Sequence, residues 1–386
     1  MRTLAVITGS RADYGIYVPL LKAIRARRDL KLWLIATGMS LSPEFGRTAD
    51  LIVDDGFAVE DRVETLLSSD SPAAIAKSMG LGLIGFSQLF DHRRPDILVA
   101  LGDRFEMCAA VLASVPFSIP VAHIAGGVVT EGAIDDVYRH AITKASHIHF
   151  AETQAAARRI RRMGEEPWRV HVTGALALDQ VKSMRLLSRP ALSRCLGLPL
   201  DEAPILVTFH PVTREYENTE AYTVAMLSAL RSVDRPIVFT YPNADTGGRV
   251  IIQLIREFVA AGPANRAVAV TNLGTRNYFS LMACAAAMVG NSSSGFVEAP
   301  AFKLPVVNIG VRQQGREKAA NIITSGHRAT DVLRGLRQAL DPAFRRSLAR
   351  LVNPYGDGQT TPRIIDVLAH VALDERLVQK RFYEGS

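Results

Sequence analysis

Short apolar runs recur along the chain, each followed by a longer stretch in which apolar positions return every three or four residues. The runs at 4–8, 31–37, 97–102, 121–124, 147–151 and 170–173 read as strands, and the stretches at 16–27 and 73–90 as helices between them. Runs that are apolar throughout suit strands covered on both faces, so the order predicts an α/β chain with a parallel sheet. A second series opens at 205–209 and continues through 237–241, 267–270, 287–290 and 306–309, after a basic, proline-bearing stretch near 180–200. Two Rossmann-like domains follow from this pattern, 1–180 and 181–363. The remaining 364–386 carries a helical stretch that fits either half.

Composition changes this picture little. A chain of 386 residues with 48% hydrophobic content can bury large cores, and its length favours two domains. The net charge of +7 is spread along the chain. Its densest run, Arg158, Arg159, Arg161 and Arg162 beside Glu165 and Glu166, has the spacing of a solvated helix face, so no nucleic-acid partner is expected. Small anionic substrates such as phosphates suit the charge equally well. The three cysteines, Cys108, Cys195 and Cys284, are far apart in apolar surroundings and read as buried thiols of a reducing cytoplasm. Residues 1–8 read as a strand and not as a signal peptide, and no uninterrupted apolar run approaches a membrane span.

In open α/β sheets ligands lie beyond the carboxyl ends of the strands, and here those ends carry the chemistry. Ser10, Arg11 and Asp13 follow the first strand; Asp103, Arg104 and Glu106 follow Val99; His210 follows Phe209; Asn291 to Ser294 follow Val289. The densest cluster follows Ile124, where Gly126 and Gly127 precede Glu131, Asp135, Asp136 and Arg139. Such crowding of ionisable groups marks a site, although acidic residues also cap helix starts and Asp135 and Arg139 are spaced for a plain helical ion pair. These strand ends are expected to converge on a cleft between the domains.

The stretch GNSSSGFVEAP at 290–300 has the character of an anion cradle. Its small residues let backbone N–H groups approach a phosphate, and a helix beginning at Phe296 would turn its positive end to the ligand. A serine-rich helix cap is the plainer alternative. Arg312 and Arg316 in RQQGR could clamp a pyrophosphate or decorate a solvated turn. Gly80, Gly82 and Gly85 match a dinucleotide-binding pattern but follow a helical run instead of a strand, so no NAD is expected. No phosphate-loop lysine motif and no metal-ligand spacing occur, and His123 reads equally as a core residue; no cofactor or metal is expected.

Seven segments, TGSRADYG (8–15), TGMSLSPEFG (37–46), GDRFE (102–106), TEGAID (130–135), TFHPVT (208–213), GNSSSG (290–295) and GVRQQGRE (310–317), together resemble the hydrolysing UDP-N-acetylglucosamine 2-epimerases over nearly the whole chain. The resemblance implies a cytoplasmic enzyme of two-domain GT-B architecture, with the active site in the inter-domain cleft and a nucleotide sugar as its substrate. It also implies assembly as a homo-oligomer, a dimer or tetramer, with no membrane partner. Members of the family produce N-acetylmannosamine and UDP on routes to sialic and related nonulosonic acids; relatives accept UDP- or GDP-linked 2,4-diacetamido-2,4,6-trideoxy sugars.

Carried over by motif, Asp103, Asp135 and His210 match catalytic positions. Arg11, Asp13, Ser292, Ser293, Glu298 and Arg312 match substrate-binding ones, and Arg139 matches a support for the carboxylates. Two departures concern the sugar. Ala125 stands in HIAGG where many members carry a catalytic glutamate, and Glu131 is the expected replacement; Ser40 stands where TGMHLS is common. A GT-B glycosyltransferase would use the same nucleotide chemistry, but the carboxylates of TEGAID argue against it. A non-hydrolysing epimerase would return UDP-sugar, and the lost glutamate is the one feature that favours a noncatalytic nucleotide-sugar sensor.

Overall fold

A computed structural model describes residues 1–69, 71–242, 247–263, 265–271 and 273–385; the side chains of Arg11, Thr213 and Arg214 also lie outside the described residues. The chain divides into two units. The first comprises Met1–Val129, Asp135–Lys182 and Tyr355–Ser386, and the second Thr130–Ile134 and Ser183–Pro354.

The first unit is built on strands β1 (Arg2–Thr8), β2 (Leu30–Thr37), β3 (Asp61–Val63), β4 (Ile97–Leu101), β5 (Val121–Ile124), β6 (Ile148–Ala151) and β7 (Val170–Val172). They form one seven-stranded sheet in the order β3-β2-β1-β4-β5-β6-β7, and all pairs are parallel. The second unit holds β8 (Ile205–Thr208), β9 (Ile237–Thr240), β10 (Ala267–Val270), β11 (Ala287–Gly290), β12 (Val306–Ile309) and β13 (Ile322–Ser325). These are parallel in the order β10-β9-β8-β11-β12-β13. Each sheet reverses direction of growth once, between β1 and β4 and between β8 and β11, the place where doubly wound sheets bind ligands.

The central strands are buried on both faces because nearly every residue in them is apolar. Leu4, Val6, Val99, Ile124 and Phe150 join one core, while Ala5, Ile7, Leu98, Ala100 and Val121 join another across the same sheet. In the second unit Ile205, Val207, Val289, Val307 and Ile323 share a core with Met226, Ile251 and Leu336 from the helices. The expected strands are all present. Strands β3 and β13 were not anticipated, and the helical stretch expected at 364–382 is two helices, Thr360–His370 and Glu375–Val378. Ile364, Ile365, Leu368 and Leu377 place this last segment in the core of the first unit.

Helix Pro72–His92 contains all three glycines of the pattern set aside above. By length and composition it is long and apolar enough to cross a membrane, although Lys77 interrupts its apolar run. Ala74, Ser78, Gly82, Phe86 and Phe90 nevertheless form a buried stripe at four-residue spacing. At Gly82 the backbone approaches helix Phe105–Ser114 so closely that a Cβ would lie 2.9 Å from that of Ala109. Burial of Phe86 and Phe90 contributes roughly 1.5–3 kcal/mol each.

The cysteines are free, but only Cys108 is buried; burial pushes its thiol up to about 11. Cys195 is exposed because Leu192 and Leu196 take the inward face of helix Arg189–Leu196, and Cys284, at the end of helix Gly274–Cys284, is partly exposed. The arginine run expected on a solvated face lies in helix Gln154–Arg162, where Arg158 and Arg162 are exposed and Arg159 turns in to the Gly127 carbonyl. Glu165, expected beside that face, is fully buried against His149, Lys144 and Lys380. Burial alone would raise its pKa; hydrogen bonds from these cations and from His149 hold it at about 2.

Candidate active site

At the carboxyl end of β1, Ser10 caps helix Arg11–Arg25 by accepting the Asp13 N–H at 3.3 Å. The Asp13 carboxylate in turn accepts the Gly9 N–H at 3.3 Å. Burial raises the Asp13 pKa to about 6; Arg104 opposes that rise and the nearby Glu106 carboxylate adds to it. Glu106 is itself buried and is paired with Arg104 Nε at 3.2 Å, beneath the ends of β1 and β2. Ser40, buried beside this cluster, donates its backbone N–H to Gly9 O at 3.1 Å. A carboxyl group that titrates near neutrality beside a second carboxylate is a common feature of sites that handle protons. The side chain of Arg11, expected here, lies outside the described residues.

Asp103 follows β4 and is gripped by Arg139 Nη2. Arg139 is only 3% exposed; its Nη1 also donates to Val128 O at 2.9 Å and meets Asp136 at 3.4 Å. The arginine therefore fixes the end of β4 and the turn after β5 from one point on helix Asp135–Ala145. Asp135 and Asp136 occupy the first turn of that helix, where the positive end of the helix dipole favours a carboxylate. Asp135 lies close enough to raise the Tyr138 phenol, after burial, the larger cause.

His123 on β5 supports the same corner. Its Nε2–H donates to Gly102 O at 2.7 Å, immediately before Asp103, and its Nδ1 faces Thr143 Oγ1 at 3.1 Å. Burial holds its pKa down to about 3, so the ring is neutral. His123 is thus a core residue in chemistry, yet one that sets the backbone ahead of Asp103. Ala125, one turn further on, has φ 65°, a left-handed conformation uncommon for alanine.

In the second unit His210 follows β8 and Asn291 follows β11. Asn291 Oδ1 accepts the His210 N–H at 2.7 Å while its Nδ2 donates to His210 O at 2.8 Å. The Asn291 carbonyl accepts from Arg312 Nη1 at 3.3 Å and Gln313 Nε2 at 2.9 Å. Ser292 and Ser293 come next; Ser292 Oγ accepts the Ser294 N–H at 3.3 Å, and helix Ser294–Val297 begins two residues earlier than expected and gives way to a 3-10 turn at Ala299–Phe302. Glu298 lies buried at the end of that helix.

Tyr278 was not singled out in the sequence. It hydrogen-bonds Ser294, Thr208 and Ser292 and feels the charge of Glu298; burial is the main cause that pushes its phenol up to about 12. Nothing in the pattern around it signals this, since it sits in mid-helix in Gly274–Cys284 and away from any strand end. Glu131 is exposed in the second unit, and its N–H donates to Gln314 O at 3.1 Å. The structure thus brings Asp103 to Arg139, and His210 and Arg312 to Asn291, and Ser292 toward Glu298 through Tyr278. Among the described residues no three His, Cys, Asp or Glu side chains group to hold a metal.

Two doubly wound parallel sheets with polar and charged groups at their switch points define an α/β protein of two Rossmann-like units. A family model described as UDP-N-acetylglucosamine 2-epimerase matches residues 22–369, and the chain belongs to that family. It is 34% identical over 381 residues to a UDP-N,N'-diacetylbacillosamine 2-epimerase (hydrolyzing) of Legionella pneumophila, covering 98% of this chain and 99% of that one. Identity to a GDP/UDP-N,N'-diacetylbacillosamine 2-epimerase (hydrolyzing) of Campylobacter jejuni is 38% over 325 residues, 84% of each chain. Among solved structures, UDP-GlcNAc 2-epimerase from Neisseria meningitidis bound to UDP-GlcNAc matches with TM-score 0.80 at 16% identity, over 95% of this chain and 99% of that one. That likeness supports the GT-B-like fold.

Proposed function

We propose that the chain is a hydrolysing 2-epimerase that converts UDP-N-acetylglucosamine to N-acetylmannosamine and UDP. The observation that carries this reading is the Asp103 carboxylate at the carboxyl edge of the first sheet, held by the buried Arg139. Asp103 and Asp135 exchange protons with C2 of the sugar. The C1–O bond breaks with its electron pair leaving on the diphosphate, and the C2–H pair becomes the C1=C2 bond of a glycal. Water then adds hydroxyl to C1 and a proton returns to C2 on the opposite face, so one water is consumed for each UDP released.

Because the C2 proton is poorly acidic, departure of the diphosphate runs ahead through an oxocarbenium-like state that carboxylates stabilise. His210 faces the leaving phosphate or acts as an acid. Arg11, Arg312, Ser292, Ser293 and Glu298 hold the nucleotide, and Asp13 lies near the nucleotide and sugar. Glu131 takes over the role of the glutamate replaced by Ala125; full activity in Glu131→Gln would remove it from that role. No step requires a cofactor or metal, and the reading carries with it a cytoplasmic homo-oligomer.

A second substrate is favoured by the relatives at 34% and 38% identity, whose names specify diacetylbacillosamine. The same steps apply to a UDP- or GDP-linked 2,4-diacetamido-2,4,6-trideoxyhexose. Incubation in D2O with UDP-N-acetylglucosamine and with each diacetamido nucleotide sugar, followed by proton and phosphorus NMR, tests both. Free nucleotide diphosphate with a C2-deuterated, C2-inverted sugar establishes the reaction and names the substrate; recovery of intact C2-epimerised nucleotide sugar points to a non-hydrolysing enzyme, and binding without release points to a sensor.

A further inference from the structure

The side chain of Asn291 pairs through both its oxygen and its nitrogen with the backbone of one other residue. Its amide oxygen and nitrogen pair with the N–H and C=O of His210, 81 positions away, as a neighbouring strand would. The pairing depends on Gly290, which has φ 138° and comes so close to the Thr208 carbonyl that any Cβ would collide with it. With that approach, Asn291 N–H reaches Thr208 O at 3.2 Å and the side chain arrives opposite His210. Asn291 is 1% exposed and His210 7%, so water does not supply substitutes for these bonds.

We propose that Asn291 is the positioning residue for His210 in the reaction, extending the β8–β11 pairing by one residue so that the imidazole is presented from a fixed backbone. The Asn291 carbonyl carries the same constraint to Arg312 and Gln313 after β12, so three strand ends move as one. The inference rests on the assignment of His210 to the departing diphosphate. An amide meets the requirement at every pH, since the His210 N–H needs an acceptor and its C=O needs a donor within one planar group. An ionised aspartate keeps the acceptor but sets a second oxygen against the His210 carbonyl; a protonated aspartate restores the donor.

Asn291→Asp is therefore the informative variant, with Asn291→Ala beside it. In Asn291→Asp at pH 8 we expect kcat to fall at least 10-fold with KM within about 2-fold, as for a positioned acid-base group. The ratio of its kcat to that of the unaltered protein should rise as pH falls and the carboxyl gains its proton. In Asn291→Ala the loss should be as large and independent of pH. Amide hydrogen exchange at His210, followed by mass spectrometry or NMR, should quicken at least 10-fold in Asn291→Ala, which removes the acceptor of that N–H. Near-normal kcat in Asn291→Ala, a rise in KM alone, or unaltered exchange at His210 overturns the proposal. If the unaltered protein turns over no nucleotide sugar, the reaction assignment fails, while the exchange measurement still decides whether Asn291 holds His210.

Discussion

Arg139 reaches across the edge of the first sheet to grip Asp103, 36 residues earlier in the chain, and with the same guanidinium ties down the Val128 carbonyl. A planar fork serves both partners at once, which a lysine ammonium on a flexible stem does not. Arg139→Lys is expected to lower turnover by about 10- to 100-fold with the fold intact, and Asp103→Asn by on the order of 100-fold or more, as for positioned proton carriers. Release of UDP followed by phosphorus NMR measures both. An Asp103→Asn rate equal to that of the unaltered protein would take Asp103 out of the chemistry.

His147 makes the first unit sensitive to acid. Its Nδ1 accepts the Val121 N–H at 3.1 Å, so a proton on that nitrogen would oppose two donors. Burial is the main cause that lowers its pKa to about 4, with Lys380 and Arg169 adding to it. The folded state holds fewer protons than the unfolded state between pH 6.5 and about 4, so stability should be present above 6.5 and be lost as pH falls through that window. His123, held at about 3, acts in the same direction. In His147→Asn the amide oxygen replaces Nδ1 as acceptor and cannot titrate. Urea midpoints measured from pH 7 to 4 should fall less steeply in that variant, and equal slopes would clear His147 of the role.

Ala125 holds a left-handed backbone without the freedom of glycine. Relief of its steric cost, roughly 1–2 kcal/mol, outweighs the added entropy of a glycine in the unfolded chain, so Ala125→Gly should stabilise by about 0.5 to 1 kcal/mol. Chemical denaturation gives the answer, and a loss of stability would mean that the methyl group packs usefully.

Asp179 caps a helix that begins 181 residues later. Its carboxylate accepts the N–H groups of Thr360 and Thr361, the first at 2.8 Å, while Thr360 Oγ1 donates to Ala175 O at 3.2 Å. Asp179→Ala should cost about 1–2 kcal/mol, the value of a lost helix cap. Faster amide exchange confined at first to residues 360–370 would identify the cap as the cause; a uniform change would not.

Much of this was visible in the sequence because the central strands announce themselves. A run such as Ile97–Leu101 has no polar residue, and the charged residues that follow it mark the strand end. Strand β3 escaped notice because Asp61 and Arg62 fill two of its three positions, and a short edge strand has no apolar signature. The break at 371–374 was written in the sequence: Asp374 caps the next helix by accepting the Leu377 N–H at 3.0 Å, a start signal hidden within an apparently continuous helical stretch. That Asp103, His210 and Asn291 closely follow strands was legible by position. The work of Asn291 and Tyr278 was not, since the first depends on how closely two strands approach and the second on what faces a mid-helix phenol.

The discontinuous make-up of the first unit imposes an order on biosynthesis. Residues 183–354 leave the ribosome while Ile364, Ile365, Leu368 and Leu377 are still unmade, so the first unit waits for part of its own interior. A premature stop between residues 355 and 364 would leave a fully translated second unit attached to a first one that lacks Ile364, Ile365, Leu368 and Leu377 from its core.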